Sequence, residues 1–196
     1  MWNERYNTPD YIYGTEPNDF LREHAAAIPA GGSVLCLAEG EGRNAVFLAQ
    51  QGYVVTAVDS SEVGLAKAAA LADARGVKIR RLHADLGDFA LGEEAWDGIV
   101  SIFCHLPSFV RQPLYAALAR SLRPGGVFLL ESYTPAQLAF STGGPKDVDM
   151  LVDAATLRRE LPGLQFSLLQ ECPRDVVEGS FHTGRAAVVQ ALACPL

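Results

Sequence analysis

Ser33-Val-Leu-Cys-Leu-Ala-Glu-Gly-Glu-Gly-Arg-Asn-Ala-Val-Phe-Leu-Ala-Gln-Gln-Gly-Tyr-Val-Val-Thr-Ala-Val-Asp59-Ser-Ser61 reads as a strand, a glycine turn, a helix, a second strand and an acid. Val34 to Leu37 is a short apolar run suited to a strand covered on both faces. Gly40 and Gly42 make a tight turn, and Val46, Phe47 and Ala49 recur at helical spacing until Gly52 stops the helix. A second buried strand, Val54 to Val58, ends at Asp59. Glycines let backbone approach a ligand where a Cβ would clash, and a carboxylate at the second strand end can accept both hydrogen bonds of a ribose diol. The stretch therefore predicts a nucleoside site in a parallel α/β sheet.

Gly40-Glu-Gly42-Arg-Asn-Ala45 also fits the dinucleotide fingerprint in its G-x-G-x-x-A form, with an acid about 20 residues further on. Glu39 separates the alternatives. An acid inside the turn would repel a pyrophosphate but suits a cationic amino-acid group, which favours S-adenosylmethionine over NAD.

On these residues the chain resembles the small class I S-adenosylmethionine-dependent methyltransferases, and is similar to the bacterial tellurite-resistance-type group. The resemblance spans nearly the whole chain. The family's first motif usually reads hydrophobic-Asp-hydrophobic-Gly-Cys-Gly-x-Gly; here Cys36 stands for the Asp, Ala38 for the first Gly and Glu39 for the Cys. The resemblance implies a Rossmann-like, mostly parallel seven-stranded sheet with a C-terminal antiparallel hairpin and helices on both faces. It assigns the cofactor, S-adenosyl-L-methionine, to Glu39, Gly40, Gly42, Asn44, Asp59, Ser60, Asp85, Leu86, Phe103 and Tyr13, with no metal. Asp85 would receive the adenine amino group, although a carboxylate there can equally cap the next turn.

The 196 residues suit one domain, 1–196, and the 16 basic against 23 acidic residues give a net charge of -7. That charge argues against nucleic acid or an anionic membrane as the main partner and for a small-molecule acceptor. Cys36, Cys104, Cys172 and Cys194 lack C-x-x-C spacing and read as reduced thiols. The N-terminus does not begin a signal peptide, and no apolar run approaches the ~20 residues of a membrane span. A cytoplasmic monomer or weak dimer is expected.

Residues 1–30 comprise an aromatic arm over 1–20, with Trp2, Tyr6, Tyr11 and Tyr13, and a short helix from Phe20 to Ile28. By resemblance the arm caps the cofactor pocket, where Tyr6, Tyr13 or Arg5 could reach the methionine carboxylate. Ser60 or Ser61 caps a helix through Ala74, with Val63, Ala66, Leu71 and Ala74 on one face. Val77 to Leu82, Ile99 to Phe103 and Val127 to Glu131 are the third, fourth and fifth strands, with a helix from Ser108 or Pro113 to Leu122 between the last two. Residues 132–152 read as a lid loop. Thr156 to Leu161 is a short helix. Leu164 to Cys172 and Ala186 to Ala193 form a hairpin with a long tip, Pro173 to Gly184.

His105 follows the fourth strand and points into the reaction zone, as a candidate base for a protonated acceptor; a packing or cofactor-contacting role is the alternative. His182 and Lys146 are further candidates, the latter for an anionic acceptor. The competing functions are a non-catalytic S-adenosylmethionine-binding regulatory module and a nicotinamide-dependent oxidoreductase.

Overall fold

The computed structural model describes residues 2–196. Its strands are β1 (Ser33–Leu37), β2 (Val54–Asp59), β3 (Arg80–His83), β4 (Trp96–Ile102), β5 (Leu122–Tyr133), β6 (Leu164–Glu178) and β7 (His182–Pro195). They form one sheet in the order β3-β2-β1-β4-β5-β7-β6. Strands β1 to β5 run parallel, and β7 inserts antiparallel between β5 and β6. The helices are α1 (Trp2–Tyr6), α2 (Asp19–His24), α3 (Arg43–Gln50), α4 (Glu62–Ala74), α5 (Ser108–Ser121) and α6 (Ala154–Glu160).

Alternation along β1 shows why its apolar run is continuous. Leu35 and Leu37 join one core with Ile99, Leu118, Phe128 and Leu157, under α5 and α6. Val34 and Cys36 face the opposite core with Leu21, Leu48, Ala57 and Leu129, under α2 and α3. Both faces are covered, so no polar position interrupts the strand. The sheet order reverses between β1 and β4, and a crevice opens there beyond the strand ends.

The architecture agrees with the expected fold, with local differences. Only Arg80–His83 forms the third strand, because the Val77 N–H is taken by Ala72 O at 3.0 Å, where α4 ends. The buried face of α4 is Gly64, Leu65, Ala68, Leu71 and Ala72, whereas Ala66 and Ala74 are exposed. Alanines lie all round this helix and blur the periodicity. The hairpin is much longer than expected, since β6 continues to Glu178 and β7 begins at His182. Pro173 is accommodated because β6 is an edge strand. Segment 132–152 is largely ordered: Ser132 and Tyr133 belong to β5, and short 3₁₀ turns cover Pro135–Ala139 and Val148–Met150. Buried Gln137 braces it, donating to Thr142 Oγ1 and Gly143 O and accepting the Ala187 N–H.

No helix among the described residues is long and apolar enough to cross a membrane. The four cysteines are free, Cys36 and Cys104 buried.

Candidate functional site

A cavity of about 960 Å³ occupies the crevice at the strand ends. Glu39, Asn44, Asp59, Ser60, Asp85, Leu86, Phe103 and Tyr13 lie on its wall, together with His105. Gly40 and Gly42 do not line it. A Cβ on Gly40 would stand 2.5 Å from the Tyr6 hydroxyl, and one on Gly42 would stand 2.6 Å from Ala68 Cβ. Their missing side chains are used by contacts within the protein: the arm seats on Gly40 and α4 packs on Gly42.

Asp59 is buried at the end of β2. Its Oδ2 accepts the Gly40 N–H at 2.8 Å and its Oδ1 the Ser61 N–H at 2.7 Å. A carboxylate oxygen accepts more than one hydrogen bond, so each keeps capacity for a ligand hydroxyl. Burial raises the Asp59 pKa, against the lowering by these amides.

Glu39 acts as the cap of α3, whose N-cap residue Gly42 offers no side chain. Glu39 Oε1 accepts from the amides of Asn44 at 3.0 Å and Ala45 at 2.7 Å. Burial pushes its pKa up to about 7 despite those bonds and Arg43. A cationic ligand group beside it would favour the charged form. Asn44 Oδ1 is taken by the Asn18 N–H at 2.9 Å, which ties the arm to α3. Asp85 is exposed and accepts the Gly87 N–H at 2.8 Å, the turn-capping arrangement, while still facing the cavity.

The N-terminal arm forms the outer wall. Tyr6 is buried, and Arg5 lies 4.7 Å over the Trp2 ring while donating to the Tyr13 hydroxyl at 3.3 Å. Asn3 Oδ1 accepts from Ser61 Oγ at 2.6 Å, fastening the arm at the head of α4. Lys146 is exposed and away from the cavity wall.

Beyond β4, Phe103 adopts a left-handed backbone, φ 49°, and stacks on Tyr133 with ring centroids 4.5 Å apart. His105 stacks on Tyr133 at 5.4 Å and lies 6.1 Å from Phe103, and His182 meets Phe103 edge-on at 4.8 Å. Burial lowers the pKa of His105 to about 4 and that of His182 to about 3, so both are neutral at pH 7.

Behind the site lies a buried polar network that the pattern of the sequence does not announce. Asn18 Nδ2 donates to Glu131 at 2.9 Å and Glu178 at 2.7 Å, while Arg43 and Arg174 pair with these carboxylates. It joins the arm to α3, β5 and β6. The one signal for it is Glu131, an acid in a strand that otherwise reads as buried.

Residues 34–126, just under half of the chain, match the methyltransferase-domain family. No curated protein sequence matches significantly. Among solved structures, TehB from Haemophilus influenzae superposes with a TM-score of 0.74 at 20% identity, covering 100% of this chain and 66% of that one. A structure from work on the conversion of a disulfide bond into a thioacetal group during echinomycin biosynthesis gives 0.78 at 22%, covering 98% and 87%. An S-adenosylmethionine-dependent methyltransferase from Mesorhizobium loti gives 0.67 at 19%, covering 88% and 95%. The chain thus has the class I methyltransferase fold. The family that residues 34–126 match, with its S-adenosylmethionine-dependent structural neighbours, implies S-adenosyl-L-methionine as cofactor.

Proposed function

We propose that the protein transfers a methyl group from S-adenosyl-L-methionine to a small-molecule acceptor. The observation that carries this reading is the placement of Asp59 and Glu39 on one cavity wall, two carboxylates each anchored by two amides. Asp59 would accept from the ribose hydroxyls. Glu39 would face the cationic amino-acid end, with Tyr13, Asn44 and Ser60 alongside and Asp85, Leu86 and Phe103 around the base.

The bound cofactor supplies an electrophilic methyl on a cationic sulfur, so the chain's work is mainly to orient the partners and exclude water. Such orientation can contribute about 7–11 kcal/mol. For an acceptor that must lose a proton, His105 is the candidate base: its neutral ring stands on the wall of the same cavity as the carboxylates.

Calorimetry and thermal shift with S-adenosylhomocysteine and with NAD test the reading. Saturating S-adenosylhomocysteine, at 100 times its dissociation constant, should stabilise the fold by about 2.7 kcal/mol. Stabilisation by NAD, with none by S-adenosylhomocysteine, would reject it.

A further inference from the structure

Three buried polar atoms, His105 Nε2, Tyr133 Oη and His182 Nδ1, make no hydrogen bond of good geometry among the described residues, although the Met150 backbone comes close enough to His105 to act on its pKa. They belong to one ring cluster: the Tyr133 ring lies 5.4 Å from the His105 ring, nearly parallel to it, and 5.4 Å from the His182 ring, edge-on. Tyr133 is fully buried and His182 is 8% exposed. An unpaired buried polar group costs free energy, and three in one place call for an occupant that completes them.

His105 and His182 line the cavity, and of the three only Tyr133 is partitioned from it, by the backbone of Gly143 and Gly144. A Cβ on Gly143 would lie 3.0 Å from His182 Cδ2 and 3.3 Å from Tyr133 Oη, and one on Gly144 2.7 Å from the Tyr133 ring. Both residues also line the cavity. The partition is therefore two residues without side chains, both at positive φ. On the cavity side the wall carries the apolar Leu106, Val110, Pro113 and Met150, while Arg5 and Arg43 lie near His182. Behind the rings, Glu131 and Glu178 are already paired with Arg174, Arg43 and Asn18.

We propose that the methyl acceptor is a neutral, apolar molecule whose single O–H or S–H head sits at His105 and His182 on the cavity wall, and that Gly143–Gly144 lift off Tyr133 so that the head also reaches its hydroxyl. Two neutral imidazoles and a phenol can donate to and accept from such a head, whereas an anion would find Arg43 already paired with Glu178 and, among the described residues, only the exposed Arg5 as a further cation near His182. The proposal rests on the methyltransferase reading for the word acceptor; the binding pocket does not depend on it.

The test is binding of p-cresol, benzyl mercaptan, toluene and benzoate to the full chain, by calorimetry, with and without S-adenosylhomocysteine. One or both protic probes should bind at least about tenfold more tightly than toluene and benzoate, and whichever binds identifies the head as O–H or S–H. Tyr133→Phe should bring that probe down to the toluene level while leaving the melting temperature unchanged or higher. Hydrogen exchange over residues 141–146 should change with the protic probe and not with toluene. Equal binding of toluene, or tightest binding of benzoate, overturns the head assignment, as does full probe affinity in a folded Tyr133→Phe chain. Unchanged exchange on probe binding overturns the partition. Failure of S-adenosylhomocysteine alone to bind counts against the methyltransferase reading, and leaves the probe comparison intact.

Discussion

Asp59 Oδ2 holds the Gly40 N–H at 2.8 Å, so the acid that ends β2 fastens the turn after β1. Its other oxygen fixes the first residue before α4. Ligand binding and local folding therefore share one side chain. Asp59→Ala should cost about 1.5–3 kcal/mol for each charged hydrogen bond lost, and should also weaken S-adenosylhomocysteine. Asp59→Asn keeps one acceptor oxygen and should recover part of the stability without the affinity. Urea melts and calorimetry on both variants separate the two effects; an Asp59→Ala chain as stable as the parent would show that the turn does not need the acid.

Ala38 sits at φ 48°, in the left-handed region, where the resembling family usually has glycine. A non-glycine residue there stores about 1–2 kcal/mol of strain. The extra entropy that glycine loses on folding offsets about 0.5–1 kcal/mol of this. Ala38→Gly is expected to raise stability slightly, by about 1 kcal/mol or less. A clear fall in the denaturation midpoint would mean that the Ala38 methyl, which lines the cavity, packs more usefully than its backbone is strained.

The parallel sheet and its crevice were legible because β1 is an uninterrupted apolar run, β2 is apolar but for Thr56, and Asp59 ends it. Glu39, Asp59 and His105 were legible as cavity residues for the same reason, since strand ends fix where such residues face. The use of Gly40 and Gly42 was not, because the same dipeptide spacing serves a ligand's approach or a neighbour's packing, and only Tyr6 and Ala68 decide which. Nor was the Tyr133, His105 and His182 cluster, whose members meet across the sheet from β5, the β4 end and β7. Long-range contacts of this kind leave no periodic mark in the chain.

Glu39 gives a pH signature with a defined sign. Its carboxyl is raised from 4.5 to about 7, so the folded chain holds its proton more tightly than the unfolded one. The associated stability is fully present below about pH 4.5 and is lost as pH rises through about 7, falling by about 1.4 kcal/mol for each pH unit between those limits. Glu39→Gln should remove this fall, seen as a difference between the two stability profiles. Binding of S-adenosylhomocysteine, whose amino group is cationic, should release a proton between about pH 5 and 7. Calorimetry in buffers of different ionisation enthalpy reads that release; no release in this range would place the amino group away from Glu39.

His105 carries the opposite sign. Burial lowers it from 6.5 to about 4, so the unfolded chain binds the proton first and stability falls as pH drops from about 6.5 towards 4. His105→Asn should flatten that limb relative to the parent. If His105 serves the acceptor, the same variant keeps its affinity for S-adenosylhomocysteine and loses turnover, by about 10²–10⁴-fold for a general base. Loss of the analogue instead would assign the ring to the donor side, and normal turnover would leave it a packing residue.

Gly42 and Ala68 set the distance between α3 and α4. The Gly42 Cβ position lies 2.6 Å from Ala68 Cβ and 2.7 Å from Ala68 Cα, and Gly42 stands at φ 91°. Gly42→Ala thus meets two penalties of different origin: overpacking against α4, about 1–3 kcal/mol, and backbone strain of about the same order. Only the first can be relieved from the other helix. Ala68→Gly removes the clashing methyl but leaves Ala68's own backbone position, and itself lowers helix propensity by about 1 kcal/mol. The double variant should therefore be more stable than the sum of the two single effects predicts, by about 0.5–3 kcal/mol, the range expected for residues in contact. Strict additivity would mean that the helices do not meet at this pair. S-adenosylhomocysteine affinity in the folded double variant should stay near that of the parent, because Gly42 lies off the cavity wall; a large loss there would return the glycine to the ligand site.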